Sequence, residues 1–489
     1  MRPHILVHAY GTFAHVFKAL IEEAMQTRPD VIWSAILPTG NHLEMMTNLL
    51  GRENICYLHE CLKSTMREEF SDGHLSDYYG NVFRDLEADQ DSLKFKPSRR
   101  KTINDKATYK IYKEFLQKVK PTHVFFAHCE THEALILDRV ARELRIQPIH
   151  SVHTRNVGRT FFSSSIWEEL PPYVEISDRN REEASAYIER FNNSFVSPMT
   201  SDRDELNGLT LIPWNHPSFP QRVLSFFKRF FKESENESFR GFCHRINQNL
   251  PLVRDLARSL RVLKNQKICT IRRMEDLPKK FIFYPYQVTP ESSINIPAPY
   301  LVDQRRVVDL IRFNMPGDYT LVIKEHPQGI LTRPGQVFKE IHLKAGVEIC
   351  DYRMNTTELT KRAALTISVT GTAAFEAFLR RKRSLVFAGT FFAEFLGGPC
   401  SIDKAGAHIQ ARLSKEISDH EVREAVAKIY AASKPFLVLP PEAGVGGRKT
   451  MSRENIRLFL SSLLDHVQKM RSYFDDRQKL SNPVLDMDA

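Results

Sequence analysis

The feature that most constrains this chain is a grammar that occurs twice: short β-rich runs alternating with longer amphipathic ones, the two occurrences separated by a strand-poor stretch. In the first occurrence His4 to Ala9 reads as a strand, Phe13 to Gln26 as a helix and Val31 to Leu37 as a strand, with a further helix after Asn41. Strands return at His123 to Ala127 and Pro148 to Val152, flanking Glu133 to Leu144, whose apolar residues recur at helical spacing. Such alternation builds a parallel sheet covered by helices on both faces. The charged, helix-prone stretch from about Glu60 to Lys120 reads as an insertion, or as helices packed over that sheet.

From about Phe161 to Lys280 the strand signal fades and charged helical segments dominate, notably Arg222 to Lys232 and Leu252 to Leu263. Within the first, VLSFFKRFFK (Val223 to Lys232) sets Phe226, Phe227, Phe230 and Phe231 beside Lys228, Arg229 and Lys232. That composition suits an anionic membrane surface; burial of the phenylalanines against a neighbouring domain is the plainer alternative. The grammar restarts with strand Phe281 to Gln287, helix Val302 to Phe313, the Pro316-Gly317 turn and strand Tyr319 to Lys324. Helix Gln336 to Ala345, strands Val347 to Cys350 and Leu365 to Val369, helix Ala373 to Leu379 and strand Ser384 to Ala388 follow. The expected architecture is α/β: two Rossmann-like, doubly wound domains facing a central cleft, with a helical connection. The expected boundaries are 1–165 for the N-terminal domain, 166–278 for the connection and 279–450 for the C-terminal domain. Residues 451–489 complete the chain as a closing helix, Arg453 to Met470, and a tail.

A length of 489 residues accommodates two such cores. The formal charge of +10 suits anionic partners such as nucleotides, lipid phosphates or acidic polysaccharides. Nucleic acid is not expected, since no stripe of interleaved aromatics and arginines marks a groove for it. The seven cysteines are odd in number, scattered and without zinc-ribbon spacing, which points to a reducing compartment. Cys56 and Cys61 bracket His59 without a second pair, so they read as buried apolar cysteines. The opening residues lack the layout of a signal peptide, and no window reaches the roughly 18 uncharged apolar residues that span a bilayer. The expected location is the cytoplasm, with any membrane contact peripheral at the inner face.

Ligands of open α/β sheets sit beyond the carboxyl ends of the strands. Four loops there are unusual in the second half: QVTPESS, with Gln287 and Glu291; KEHPQG, with Lys324 and His326; TGTAAFE after Ser368; and GTFF from Gly389. In the third, Thr370, Gly371 and Thr372 form a small hydroxyl-bearing turn before a helix, and free backbone N–H groups in such a turn bind phosphate. Glu376, one turn further on, can accept from ribose hydroxyls; simple helix capping by Thr370 or Thr372 is the alternative. Lys324 and His326, two apart, are expected on one face of the strand exit, toward the crevice. There they would hold a leaving phosphate and stabilise its developing charge. The absence of GxGxxG and Walker loops argues against dinucleotide redox chemistry and P-loop hydrolysis.

FIFYPYQVTPESS, LVIKEHPQG with Arg333 shortly after, TISVTGTAAFEAF and SLVFAGTFF resemble, in that order and over residues 280 to 395, the capsular polysaccharide biosynthesis family, which includes bacterial Kdo transferases. The His-Pro pair also resembles that of bacterial sialyltransferases, and THVFFAHCETHEALILDRVARELRIQPIH is similar to the family's acceptor-side segment. The resemblance implies a GT-B fold, a nucleotide-sugar donor as co-substrate with no further cofactor, metal-independent transfer, and phosphate contact through His326 and the Ser/Thr loop. It points to Kdo or another acidic sugar from a CMP donor, with a polysaccharide or glycolipid acceptor. The usual pair of glutamates eight apart is not matched, because Ser368 and Ser384 stand at those offsets from Glu376. A CDP-linked polyol-phosphate transferase of the teichoic-acid type, and a non-catalytic nucleotide-binding scaffold, remain alternatives in the same fold.

The catalytic base must come from the opposing domain and reach the acceptor hydroxyl. His15, His128 and Glu130 are the candidates, Glu130 being preferred because a carboxylate serves as base or as nucleophile. His128 and His132 stand four apart, but HCETH lacks the glutamate placement of a zincin and no third ligand is evident, so no metal site is expected.

Overall fold

The computed structural model describes residues 2–68, 99–155, 158–194, 260, 262, 264–289, 291–327 and 329–481. Two sheets organise it. The N-terminal sheet contains β1 (His4–His8), β2 (Ile32–Leu37), β3 (Ile55–Tyr57), β4 (His123–Phe126), β5 (Gln147–His153) and β6 (Thr160–Ser163), in the order β3-β2-β1-β4-β5-β6. All its pairings are parallel except β5 with β6. The C-terminal sheet contains β7 (Phe281–Pro285), β8 (Thr320–Lys324), β9 (Val347–Cys350), β10 (Leu365–Ser368) and β11 (Ser384–Val386), in the order β11-β10-β7-β8-β9, all parallel. Both are doubly wound, Rossmann-like sheets whose strand order reverses beside their first strand.

Side chains alternate across a strand, so a central strand must be apolar on both faces to be covered twice. Ile5 and Val7 of β1 join a core with Phe17, Leu20 and Phe125, while Leu6 lies in the opposite core with Tyr112, Val124, Phe126 and Ile136. The second sheet repeats this: Ile282 and Tyr284 pack with Leu321, Ile323 and Val308 on one face, Phe281 and Phe283 with Val322 and Leu359 on the other.

The chain returns to its first domain before it ends. Lys434 exchanges two 2.9 Å backbone hydrogen bonds with Thr160, and Phe436 and Val438 then enter the N-terminal core. Helix Arg453–Ser481 follows, burying Phe459, Leu463 and Val467 against helix Phe13–Thr27 and the sheet. In the opposite sense, helix Asp178–Asn193, begun by a Ser177–Asn180 capping box, packs Tyr187, Ile188 and Phe191 on Phe375, Phe378 and Val426 of the second half.

Two strands exceed the sequence reading. β3 has three residues and β6 lies in the stretch where the strand signal fades. Both are edges of the sheet, and their pairing comes from tertiary context more than from local pattern. β7, β10 and β11 stop earlier than expected, leaving Gln287, Val369 and Ala388 in loops. Glu60 to Lys120 is helical where described, in Leu58–Glu68 and Arg99–Val119. Val223 to Lys232 and most of Leu252 to Leu263 lie outside the described residues. Among the described residues no helix is long and apolar enough to cross a membrane.

Candidate functional site

β7 and β10 are sheet neighbours without being consecutive, so the loops leaving them diverge and open a crevice where the strand order reverses. Gln287, two residues beyond β7, spans that point. Its Nε2 donates to Thr370 Oγ1 at 2.8 Å, and its Oε1 accepts the N–H groups of Val369 and Thr370, each at 3.1 Å. The Thr370 hydroxyl donates in turn to the Ser293 carbonyl at 2.7 Å. Gln304, buried on the first turn of helix Gln304–Asn314, fixes the Gln287 backbone: its Oε1 accepts the Gln287 N–H at 2.9 Å and its Nε2 donates to the Gln287 carbonyl at 2.6 Å.

The loop after β8 joins the same network. Arg333 Nη2 donates to the Gln287 carbonyl at 2.8 Å and Nη1 to Thr289 Oγ1 at 3.4 Å, and the guanidinium lies 4.7 Å from the Tyr286 ring centroid. Arg333 Nε also donates to the Glu325 carboxylate. The Glu325 side chain is 1% exposed, and it accepts the His326 N–H at 2.8 Å. Burial pushes its carboxyl up, and the Arg333 charge opposes that push. A side chain at Gly329 would collide with this carboxyl, so the turn needs glycine there.

These bonds revise the expected roles. The Thr370 hydroxyl, expected to face a phosphate, is engaged by Gln287 and Ser293. Lys324, expected open to the crevice beside His326, is 7% exposed, and its ammonium donates to Thr356 Oγ1 at 3.0 Å. Its position in the last residue of β8, between neighbouring loops, removes it from water, and burial lowers its pKa. Arg333 is committed to Glu325, Thr289 and Gln287. His326 is half-buried, its carbonyl accepting the Ile330 N–H at 3.0 Å.

The start of helix Thr372–Leu379 lies beside this network. Gly371 and Thr372 are half-buried, and the first N–H groups of a helix have no intrahelical acceptor. The Ser368 hydroxyl is fully buried and has no hydrogen-bond partner. Glu376 follows one turn later, half-buried, and Glu291 is exposed beside the short helix Ser292–Asn295.

The fourth loop bounds a cavity of about 1170 Å³, whose walls include Trp167, Tyr300, Arg306, Gly389 and Glu394. The cavity abuts the crevice: the N–H groups of Phe387 and Ala388 donate to the carbonyls of Ser368 and Val369 at 3.1 and 3.0 Å. Trp167 is 40% and Tyr300 54% exposed. Gly389 is hard against the Trp167 indole, where a Cβ would lie 2.8 Å from that of Trp167.

Across the cleft, Leu135 of the first domain packs on Ile296 of the second, with Cys129 and Ile166 alongside. This seats the HCETH turn after β4 against the segment that follows Ser293. Glu130 is exposed in that turn, yet the protein around it raises its carboxyl pKa. His128 is half-buried, and burial pushes its imidazole down to about 4; its ring lies 5.3 Å from that of His153 and 5.4 Å from that of Phe13. His15, on helix Phe13–Thr27, lies 4.6 Å from the His42 ring. The structure therefore gathers Gln287, Arg333, Ser368, Thr370, Gly371 and Thr372 at one switch point; of the HCETH turn, Cys129 packs beside Ile296 of the second domain, while the His128 ring lies against Phe13 and His153 of its own domain. Glu325, Gln304, Trp167 and Tyr300 escaped the sequence reading. Glu325, between Lys324 and His326 in the motif, carried the best signal.

No family model matches the sequence, and no curated protein matches it. Solved structures do. A UDP-GlcNAc 2-epimerase from Methanocaldococcus jannaschii is 12% identical, with 94% of this chain and 99% of that one covered at a TM-score of 0.24. KpsC from Thermosulfurimonas dismutans, a beta Kdo 2,7 transferase, is 12% identical, with 68% and 88% covered at 0.26. The glycotransferase of kitacinnamycin is 11% identical, with 94% and 100% covered at 0.22. At TM-scores this low the likeness adds nothing to the fold that the strand orders already define.

Proposed function

We propose that the chain is a GT-B glycosyltransferase whose nucleotide-sugar donor lies across the Ser368 to Thr372 loop, with its remaining bulk in the cavity of Trp167 and Tyr300. The observation that carries this reading is the Gln287 bridge. It holds the ends of β7 and β10 in register at the switch point, and leaves the N–H groups at the start of helix Thr372–Leu379 for an anion. A helix N-terminus favours negative charge through both its dipole and its unpaired donors, so it stabilises the charge that grows on a departing nucleotide phosphate. In this reading Glu376 accepts from the ribose hydroxyls, and Trp167 and Tyr300 offer apolar contact to a base or a sugar ring.

In the same reading Glu130, on the loop opposite, takes the acceptor hydroxyl proton. A carboxyl with a raised pKa is a stronger base than an ordinary surface carboxylate. His128, pushed down to about 4, is neutral but weakly basic at pH 7 and serves to position the turn; His15 is the reserve candidate. The net charge of +10 favours acidic sugars, polysaccharides and an anionic membrane surface. A CMP donor carrying Kdo, a capsular or glycolipid acceptor, and work at the inner face of the membrane are the finer proposals, and they rest on the motif resemblance. The test is a thermal-shift screen of the full chain against CMP, CDP, UDP and GDP, followed by transfer assays with the sugar donors of whichever nucleotide raises the melting point. Binding with turnover supports the reading; binding without turnover favours the scaffold alternative, and no binding removes both.

A further inference from the structure

A second cavity, of about 950 Å³, lies where the chain crosses back to its first domain, and it shares no wall residue with the cavity of Trp167 and Tyr300. Its walls carry the cations Arg159, Arg179, Lys434 and Lys469 against the carboxylates Glu175 and Glu183. Two of the cations are already balanced, since Arg179 pairs with Glu183 and Lys469 with Asp465, each at 3.0 Å. The other two stand together at the crossing. Arg159 is half-buried and held rigidly: its Nε donates to the Ser433 hydroxyl at 3.0 Å, and its Nη2 to the carbonyls of Tyr430 and Ser433 at 3.0 and 2.9 Å. Among the described residues its Nη1 has only the Glu183 carboxylate, 3.9 Å away and shared with Arg179. Lys434 directly follows Ser433 and is exposed; its backbone pairs with Thr160, while its side chain makes no ion pair among the described residues. An anion entering here meets one fixed guanidinium and one ammonium on a flexible stem. The tyrosines of the walls are poor stacking platforms. The Arg159 guanidinium lies 4.5 Å from the Tyr430 ring centroid, with the Tyr187 ring 6.2 Å away on another side. Lys469 lies 5.6 Å from the Tyr173 ring, whose hydroxyl is tied to His466 Nδ1 at 2.7 Å. A flat base gains little from rings so occupied, whereas the polar walls, which include Asn180 and Ser472, suit a ligand rich in hydroxyls.

We propose that this cavity is a second ligand site, for a sugar ring that carries a carboxylate or a phosphate, with the anion held between Arg159 and Lys434. Both halves of the molecule build it. Arg159 precedes β6 of the first sheet, and Lys469 lies on the closing helix that packs on that sheet. Arg179 and Tyr430 belong to helices Asp178–Asn193 and Asp419–Ala432, which share a core with Phe375 and Phe378 of the second half. A ligand here touches both halves without entering the Gln287 crevice, so the site stands independently of the glycosyltransferase reading.

The test is saturation-transfer NMR on the full chain with glucuronate, glucose 6-phosphate and neutral glucose at millimolar concentration, with inorganic phosphate as competitor. Transfer should reach the ring protons of glucuronate or of glucose 6-phosphate, which tells carboxylate from phosphate, and should bypass glucose. It should weaken as salt rises, because partly exposed charges are screened. Lys434 is exposed and meets Thr160 through its backbone, so Lys434→Ala should melt with the parent yet bind the charged sugar roughly tenfold more weakly. Lys434→Arg should keep the binding, and so should Gly371→Ala, which separates this site from the donor loop. Equal transfer to glucose, displacement by inorganic phosphate at the sugar's own concentration, unchanged binding in Lys434→Ala, loss of binding in Gly371→Ala, or no transfer to either charged sugar would each overturn the proposal.

Discussion

Gln287 Nε2 lies 2.8 Å from Thr370 Oγ1, joining two loops that leave neighbouring strands at the point where the C-terminal strand order reverses. The same amide accepts two backbone N–H groups from the far side. Replacing Gln287 with Ala strands those donors, on buried Val369 and Thr370, which should cost about 2 to 4 kcal/mol of stability in urea unfolding. Nucleotide affinity should fall further than stability alone explains, because the loop that presents Gly371 and Thr372 loses its brace. A variant as stable as the parent would show that the bridge is incidental.

Ser368 and Gly371 separate folding from binding. The Ser368 hydroxyl is buried without a partner, so Ser368→Ala should leave stability unchanged or slightly raised. A Cβ on Gly371 would lie 3.2 Å from Ser368 Oγ and 3.5 Å from Gln287 Cδ, so Gly371→Ala crowds the turn. Calorimetric titration should show nucleotide affinity reduced roughly tenfold in Gly371→Ala, about 1.4 kcal/mol, with little change in melting temperature.

Arg333 and Glu325 form a buried pair with side chains 9% and 1% exposed. Removing one charge leaves the other buried and unpaired, so Arg333→Met should destabilise by about 3 to 5 kcal/mol. Combining it with Glu325→Leu should restore much of that loss without restoring nucleotide binding, since Gln287 and Thr289 still lack their donor. Denaturation midpoints of the two single variants and the double variant measure the coupling.

Acid should loosen the first domain before the second. Burial pushes His8 down to about 4 and His466 to about 3; His8 ends β1, and His466, on the closing helix, packs its ring beside Phe162 of the N-terminal sheet. An unfolded histidine takes up its proton near pH 6.5, whereas these do so only far lower. The unfolded state therefore binds more protons between those values, and stability, complete above about pH 6.5, falls as pH drops toward 4. The upper bound is about 1.4 kcal/mol per pH unit for each such histidine. His466→Gln should flatten the slope of unfolding free energy between pH 6.5 and 5; an unaltered slope would remove His466 from this account.

Glu130→Gln tests the facing loop. Loss of a general base costs on the order of 100-fold to 10,000-fold in rate. The expected signature is a fall in kcat with little change in KM for the donor, and a loss of the acidic limb of the pH profile. His15→Ala and His128→Ala should have smaller effects on kcat.

Much of this was legible in the sequence because the strands of the second sheet are short, apolar and separated by helices of helical periodicity. Their carboxyl ends could be named, and so could Gln287, Thr370 and Gly371. What the residues do there was not legible. Thr370 and Lys324 bear the groups that a phosphate site needs, but Ser293 and Thr356, far off in sequence, occupy them. Gln304 lies in a helix whose periodic pattern marks only apolar positions, and its bonds to Gln287 depend on the sheet bringing the two together. β3 and β6 were missed for the same reason: an edge strand of three or four residues is specified by its neighbour.

The most direct measurement is a crystal structure of the full chain with a bound nucleoside diphosphate. The account predicts a phosphate oxygen within hydrogen-bond reach of the Gly371 and Thr372 N–H groups, with the nucleoside directed toward Trp167 or Tyr300. A phosphate bound instead beside the N-terminal sheet, with the turn before Thr372–Leu379 empty, would contradict it.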